Sequence, residues 1–415
     1  MNITEYLTVE TELPLKAITE LSCLWRLDEH AALRITGIAD SRKTDEVIRK
    51  DYQGSMITAA YCGDTLFCGL VEKTEIRAEG RLFRIEITSV SASKMLDVDI
   101  HNEMFQDCSV SYKQMIQKLT EQASGKVICT IGEEGIRTPR LCYKETVWQY
   151  AKRMAGVLGG HLVPDIKTGK PCFWFGLRRG RDVEEHDLIY KEIELRKSAE
   201  ELLKGRICYR LEGGENYELC DRLRINGRWN MIGEKEARLE CGELRFTYTL
   251  AEESSFSCPE YRRDDVTGLS LKGVVERTER EHVYVKLDID QKEGVYPFPW
   301  LPETGNVLYA MPEAGAEIEL YFMQGSGPAP IGVRCRDSGG KKREVRKMTL
   351  PNQSELTMDR VSLHVSKKSR MDLFDHDIGL SSDQAIEIIA DERLKIEGKR
   401  IGISTANKIN YITSW

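Results

Sequence analysis

Short apolar pairs recur along the last sixty residues of the chain, at intervals of seven or eight positions. Each pair has the pattern apolar-x-apolar, and the residue between its members is never apolar. Alternation with a period of two places both members on one face of a strand about three residues long. The sequence therefore predicts a stack of very short strands joined by polar turns. The pairs are Leu356/Met358, Leu363/Val365, Met371/Leu373, Ile378/Leu380, Ile386/Ile388, Leu394/Ile396, Ile401/Ile403 and Ile409/Tyr411.

A strand of this length cannot bury its own apolar face, so several units have to share one core. A single-chain β-solenoid uses about three strands per coil, and the repeat is too short for three full coils. Three chains wound together supply the three walls of a prism and remove most exposed strand edges. A meander of short hairpins is the alternative, although the turns lack the Asn-Gly and Asp-Gly pairs that tight hairpins favour. We expect an intertwined triple-stranded β-helix in a homotrimer.

Upstream of the repeat the chain reads as mainly β with α+β insertions. Strand patterns between Leu33 and Asp97 predict a small antiparallel barrel, and similar patterns from Gly160 to about Tyr261 predict a second one. Between them, a hydroxyl residue with Gln three positions later predicts the start of each of two helices. These capping signals are Ser111/Gln114 and Thr146/Gln149. In the first helix, the apolar residues at i, i+3, i+4 and i+7 predict a buried stripe, Tyr112, Met115, Ile116 and Leu119.

Six strand patterns between residues 268 and 340 suit a five- or six-stranded closed barrel of the OB type. A glycine- and charge-rich linker follows it. The predicted organisation is an N-terminal segment with a first barrel (1–97), an α/β helical part (98–165), a second barrel (166–265), an OB-fold barrel (266–340), a linker (341–355) and the repeat (356–415).

Composition narrows the possible partners and the compartment. The net charge of −7 argues against nucleic acid or an anionic membrane as the main partner, since both select a basic face. Within the OB-type segment, acidic residues again outnumber basic ones. Twelve cysteines without a CxxC pair read as reduced structural thiols. No signal-peptide pattern opens the chain, and no apolar run reaches the length of a spanning helix.

The sequence shows no catalytic or metal-binding pattern. The histidines show no ligand spacing, and adjacent carboxylates such as Glu133/Glu134 read as solvated loop residues. Arg178, Arg179 and Arg181 form a small basic cluster, which is either a solvated loop or a contact for an acidic partner. The sequence thus predicts no enzyme, cofactor or metal site.

Three segments resemble the VgrG and phage late-control hub-spike proteins of contractile injection systems. They are FQDCSVSYKQMIQKL (105–119), LCYKETVWQYAKRMAGVLGGHLVPD (141–165) and AMPEAGAEIELYFMQGSGPAPIGVRC (310–335). The first begins with that family's Phe-Gln motif, here Phe105 and Gln106, followed by a helix. The second carries a Tyr-x-Glu-Thr motif, here Tyr143, Glu145 and Thr146, followed by a helix with Arg153. The order of segments agrees from about residue 30 onward, whereas the first thirty residues match nothing in that family.

The resemblance implies an architecture and a set of partners. Two similar barrels per chain, tripled, give a pseudo-sixfold hub that matches an Hcp-like tube hexamer. The OB barrel forms a collar, the repeat a membrane-puncturing needle, and a PAAR-type tip protein caps it, with Trp415 as the contact. Other baseplate proteins surround the hub. Such a protein is made in the cytoplasm without a signal peptide, leaves the cell within the particle, and touches a membrane only on puncture. A trimeric tail fibre or adhesin, or a spike with an unrecognised effector activity, remains the alternative.

Overall fold

The computed structural model describes residues 6–39, 50–79, 82–196, 206–256, 261, 263–301, 311–324, 329–336, 346–349, 355–358, 362–366, 369–374 and 377–404. The chain divides into two compact units, Met1–Arg336 and Asp337–Trp415. Ile409, Tyr411 and Trp415 of the predicted set lie outside the described residues, as does most of one predicted barrel strand at 307–311.

The larger unit begins with six antiparallel strands whose alternate residues enter a common core. The four strands predicted after Leu33 are present, but two more precede them, in the part of the chain where the sequence resembled nothing known. Leu7, Val9 and Trp25 of these early strands are at most 2% exposed. The six strands are β1 (Leu7–Thr11), β2 (Leu15–Arg26), β3 (Ala32–Ala39), β4 (Met56–Tyr61), β5 (Asp64–Glu79) and β6 (Leu82–Ser91).

A helical module follows, with its own hydrophobic core. Both predicted capping boxes are confirmed, since Ser111 and Thr146 each accept a hydrogen bond from the backbone of the Gln three positions later. The predicted apolar stripe of the first helix is buried. The second helix is terminated by Gly159, whose backbone is in the left-handed region (φ 67°). The module comprises a 3-10 turn (Ala92–Asp97), β7 (Ile100–Phe105), α1 (Tyr112–Gln122), β8 (Lys126–Cys129), β9 (Arg140–Thr146), α2 (Val147–Val157), β10 (Leu162–Pro164) and β11 (Cys172–Phe175).

The next strands do not form a separate sheet. Strand β16 pairs with β2, so both strand groups belong to one twelve-stranded sheet over one core. Its main path runs β1-β4-β5-β6-β3-β2-β16-β17-β14-β13. The two barrels expected from the sequence are therefore continuous with each other. The added strands are β12 (Asp182–Val183), β13 (Ile189–Arg196), β14 (Arg206–Gly213), β15 (Arg222–Ile225), β16 (Arg228–Glu240) and β17 (Glu243–Ala251).

Five further strands form a small sheet that closes on itself. A parallel bridge joins Trp300, just after the first strand in spatial order, to Gly332 in the last. The Leu301 amide reinforces the closure by donating to the Gly332 carbonyl at 2.9 Å. Val283, Val285 and Phe298 fill the interior. The strands are β18 (Ser270–Glu279), β19 (His282–Leu287), β20 (Phe298–Pro299), β21 (Glu317–Tyr321) and β22 (Ile331–Arg336).

In the second unit, the first part of the repeat forms an antiparallel meander of hairpins, the alternative that the sequence left open. Residues 383–404 contain no helix or strand, so the short strands expected at Ile386/Ile388, Leu394/Ile396 and Ile401/Ile403 are absent from this single chain. A lone chain can pair only with itself, and hairpins are the local way to do so. The strands are β23 (Arg346–Thr349), β24 (Glu355–Met358), β25 (Ser362–Ser366), β26 (Ser369–Phe374) and β27 (Ile378–Ser382).

One charged side chain is buried where the two strand groups meet. Lys235 of β16 lies opposite Trp25 of β2 and Tyr248 of β17, and is 4% exposed. Its ammonium group donates to Asn216 Oδ1 and lies 5.0 Å from the centre of the Phe246 ring. Burial lowers the pKa of Lys235 to about 8. The seam of the sheet thus holds a cation that has lost most of its hydration.

We expect Lys235→Met to increase the free energy of unfolding at pH 7 by about 2 kcal/mol. This is the free-energy cost of keeping Lys235 charged against its lowered pKa, minus the contribution of its hydrogen bond to Asn216. In the unfolded chain the lysine keeps its ordinary, higher pKa, so the unfolded state binds more protons above pH 8. Wild-type stability should therefore rise with pH, and the advantage of the variant should shrink. Urea unfolding from pH 7 to 9.5 measures this. Lys73→Met, at a side chain 66% exposed, is the control, and a pH-independent advantage of Lys235→Met would contradict the prediction.

Candidate functional site

Gln106, which follows β7, joins the helical module to the closed barrel. Its side-chain amide donates to the Val285 carbonyl at 3.0 Å, and its Oε1 accepts the Val295 amide at 3.2 Å. The residue is only 4% exposed. The buried amide thus uses both its donor and its acceptor on backbone groups of the barrel, which fixes the end of β7 against that sheet. The Phe-Gln motif therefore serves to attach the barrel.

Three residues before it, Glu103 makes a second link between the same parts. It is 6% exposed, and its Oε1 accepts from Lys118 of α1 at 2.9 Å and from Lys292 of the barrel. The next amide, that of Met104, donates to Asp290 Oδ2 at 2.8 Å. One buried carboxylate between two lysines has its charge compensated from both sides of the joint.

The Tyr-x-Glu-Thr motif supplies the third link. Glu145 is 3% exposed and receives a two-pronged bond from Arg153 of α2, Nε to Oε1 at 2.8 Å and Nη2 to Oε2 at 2.7 Å. Arg263, just before the barrel, reaches Glu145 Oε1 at 3.0 Å and donates to the Tyr143 carbonyl at 3.1 Å. Burial alone lowers the pKa of Arg153, but the bonds and charge of Glu145 outweigh it and raise that pKa. The Arg153 guanidinium is therefore held in its charged form.

We call Glu103, Gln106, Glu145, Arg153 and Arg263 the polar joint. Four of these residues belong to the helical module. Glu103 and Gln106 lie in and just after β7, Glu145 lies in β9, and Arg153 lies in α2, which the Thr146 cap positions. The resemblance singled out Gln106, Glu145 and Arg153, and the structure brings them to one boundary. It adds Arg263, Lys292 and Asp290, which no local sequence pattern marked. The arrangement is suited to transmitting force, because well-paired buried bonds resist displacement from several directions.

The apolar pairs of the repeat are aligned by strand register. Residues directly opposite each other on antiparallel strands share a face. The register places the pairs in two continuous rows on one face of the meander, and the intervening polar residues on the other. The rows are Leu356, Val365, Met371 and Leu380, and Met358, Leu363, Leu373 and Ile378.

The pair members whose side chains are described, all from Met371 onward, are exposed in the single chain. Ile378 is 71% exposed, and the remaining pairs as far as Ile403 are at least half exposed. Soluble monomers rarely leave so many large apolar side chains in contact with water along one segment. The exposed members are Met371, Ile378, Leu380, Ile386, Ile388, Leu394, Ile396, Ile401 and Ile403.

The arginine cluster is largely neutralised within the chain. Arg178 pairs with Glu218, and Arg181 pairs with the fully buried Asp221 at 2.8 Å. Of the three, only Arg179 makes no ion pair with a described residue. The cluster thus serves mainly to hold the loop before β12 in place.

A Ser-His-Asp arrangement, which the sequence did not suggest, lies where the β2–β3 turn meets the helical module. His30 Nδ1 is 2.9 Å from Ser93 Oγ, and Asp97 Oδ2 is 3.6 Å from His30 Nε2. Ser93 is fully buried, and its hydroxyl also meets Ser91 Oγ at 2.8 Å. A hydroxyl so enclosed has no room for a substrate, and the group acts as core packing.

In the described part of the chain, no three His, Cys, Asp or Glu side chains converge as a metal site. No helix there is long and apolar enough to span a membrane.

The fold matches solved structures although the sequence does not match known families. No protein-family model and no curated protein sequence matches the chain. The E. coli c3393 protein, described as a type VI secretion component structurally similar to the phage T4 tail proteins gp27 and gp5, superposes with a TM-score of 0.58 at 13% identity, covering 79% of this chain and 100% of its own. A chain of the Francisella PdpA–VgrG complex gives 0.57 at 9% identity, covering 91% and 88%.

These likenesses show that the chain has the fold of VgrG-type hub-spike proteins, so the resemblance seen in the sequence is confirmed at the level of the fold.

We expect Glu145→Gln to destabilise the protein by about 3 kcal/mol, because it leaves the buried Arg153 guanidinium without its counter-charge. The closed barrel should also loosen, and faster amide exchange in residues 263–301 would report this. Glu133→Gln is a matched control. Glu133 also forms an ion pair, with Lys113 at 2.7 Å, but its side chain is 77% exposed, so its loss should cost less than about 1 kcal/mol. Equal effects of the two variants would remove the special role of the joint.

Proposed function

We propose that the protein is a trimeric hub-spike at the tip of a contractile injection machine. In this proposal the twelve-stranded sheet of three copies forms the hub beneath an Hcp-like tube hexamer. The closed five-stranded barrel is an OB-type collar, and the repeat forms the needle. The protein acts mechanically, is assembled into a particle with other baseplate proteins and delivered outside the cell. Its needle tip is capped by a PAAR-type protein near Trp415.

The observation that carries the proposal is the uncovered apolar face of the repeat. Burying a Leu, Ile or Met side chain contributes about 1.5–3 kcal/mol. Nine such side chains per chain stay largely in water in a single copy. Two further copies of the same repeat offer an apolar face of matching period. This supports an interior shared by three chains, which also gives partners to the backbone of residues 383–404.

The fold likeness supports the same function independently of the repeat. Both structural relatives belong, by their descriptions, to type VI or VgrG assemblies, and their likeness extends over most of this chain. The polar joint adds a mechanical argument. In a spike pushed from behind, load reaches the barrel through its boundary with the helical module, and that boundary is held by buried, charge-assisted bonds.

Ile388→Asp should abolish the trimer, because it places a carboxylate in the shared interior. Light scattering of the full-length protein should give three times the 47.4 kDa of one chain for the wild type, and one chain mass for the variant. The neighbouring Ile389 provides the control. It is more exposed, at 83%, and stands outside the apolar pairs, so Ile389→Asp should remain trimeric. A trimeric, equally heat-stable Ile388→Asp protein would refute the needle assignment.

The trimer should also bind a ring of the tube protein encoded beside it, since three copies of a two-part sheet present six similar surfaces. Co-expression and affinity purification should recover the tube protein with the wild type and much less with Ile388→Asp, whose single copies offer only two surfaces. Recovery of tube protein by neither, under conditions in which tubes assemble, counts against a role at the baseplate. Equal recovery by both would separate tube binding from trimer formation.

A further inference from the structure

One histidine connects three segments that are distant in sequence. His161, between α2 and β10, is 6% exposed. Its Nδ1 lies 2.6 Å from Asp28 Oδ2 in the turn after β2, and its Nε2 lies 2.8 Å from the Phe256 carbonyl oxygen. Phe256 ends the short 3-10 segment that follows β17, where the chain leaves the large sheet on its way to the closed barrel.

Both partners of the imidazole can only accept hydrogen bonds. A neutral ring carries one N–H and one lone pair, so it can satisfy either Asp28 or the Phe256 carbonyl, but not both. The geometry therefore requires the doubly protonated ring. Asp28 is in turn fixed, because its Oδ1 accepts the Leu162 amide at 2.8 Å. The carboxylate cannot turn away to relieve the loss of a proton.

The bond to Phe256 also holds an aromatic ring in place. The Phe256 ring packs against Gly233, where an added Cβ would lie 2.1 Å from the ring. Gly233 stands at a register shift in β16, between Ile232 and Glu234. The segment is thus attached at two points, through its carbonyl to His161 and through its ring to a bulge in the sheet.

We propose that His161 is a proton-dependent clasp on Glu252–Phe256, the segment through which the chain leaves the large sheet. Asp28 is the charged group that faces the ring from the β2–β3 turn, and the Phe256 carbonyl faces it from the 3-10 segment. With the proton in place the segment is fixed to the sheet and the helical module together. Without it, the remaining proton stays on Nδ1 beside the Asp28 carboxylate, which is a stronger acceptor than a carbonyl, so the bond to Phe256 is lost and the exit segment is freed.

The electrostatics agree with this direction. Burial by itself lowers the pKa of His161, but the bond and charge of Asp28, with the Phe256 carbonyl, raise it above its ordinary value. A raised folded-state pKa means that the clasp contributes its full stability below about pH 6.5, the unfolded value, and loses it as the pH rises through the folded value. His30 is the opposite case, since burial dominates and lowers its pKa.

Amide exchange of the full-length protein, corrected for the intrinsic effect of pH, tests the clasp. In the wild type, peptides covering Glu252–Phe256 should exchange about tenfold faster once His161 is deprotonated, between pH 6 and 9. His161→Gln keeps a hydrogen-bond donor group but has no proton that titrates in this range, so its exchange should be independent of pH. His30→Gln removes a buried histidine that does not touch this segment, and should keep the wild-type titration.

The wild-type measurement decides the matter even if a variant fails to fold. Constant protection of Glu252–Phe256 across the pH range would overturn the proposal. So would a titration of that segment that persists in His161→Gln, because another group would then be responsible. The readout is local to the larger unit and is independent of whether the repeat forms a trimer.

Discussion

The need to cover apolar sheet faces governs each part of this chain, and the three parts meet it differently. The twelve-stranded sheet shares one core between both strand groups. The five-stranded sheet closes on itself and fills its own interior. The strands of the repeat are too short to do either, and Met371, Ile378 and Leu380 of their apolar rows are exposed in a single copy. In the proposed trimer, two further copies would cover this face and so couple the stability of the repeat to association.

The boundary between the helical module and the barrel has a different character from the cores. It is held by buried ions and amides, each paired by several partners, rather than by apolar packing alone. Buried ion pairs add little net stability compared with apolar residues of the same shape, but they tolerate only one geometry. In the proposed spike this boundary carries the load, and fixed geometry there has more value than extra stability. This gives a physical reason for Gln106, Glu145 and Arg153 to be of these residue types.

Local patterns in the sequence predicted local structure well. The capping boxes at Ser111 and Thr146 and the stripe on α1 were correct, because each depends on residues three or four positions apart. Links between distant segments were not predictable in this way. Arg263 meets Glu145 across more than a hundred positions, and Lys235 is a charged residue in a strand that no periodicity marks as buried. The joining of β2 to β16 was missed for the same reason, since an edge strand and a central strand have similar alternation.

The pairing of β2 with β16 also sets the order in which the chain can fold. Arg26 and Glu234 are partners although 208 positions separate them. During synthesis β2 leaves the ribosome long before its neighbour exists, so one side of it stays unprotected until most of the larger unit has been made. Such distant contacts slow folding and extend the time in which an intermediate can aggregate. A chaperone that covers the nascent chain until β16 has been made should therefore raise the yield of native protein.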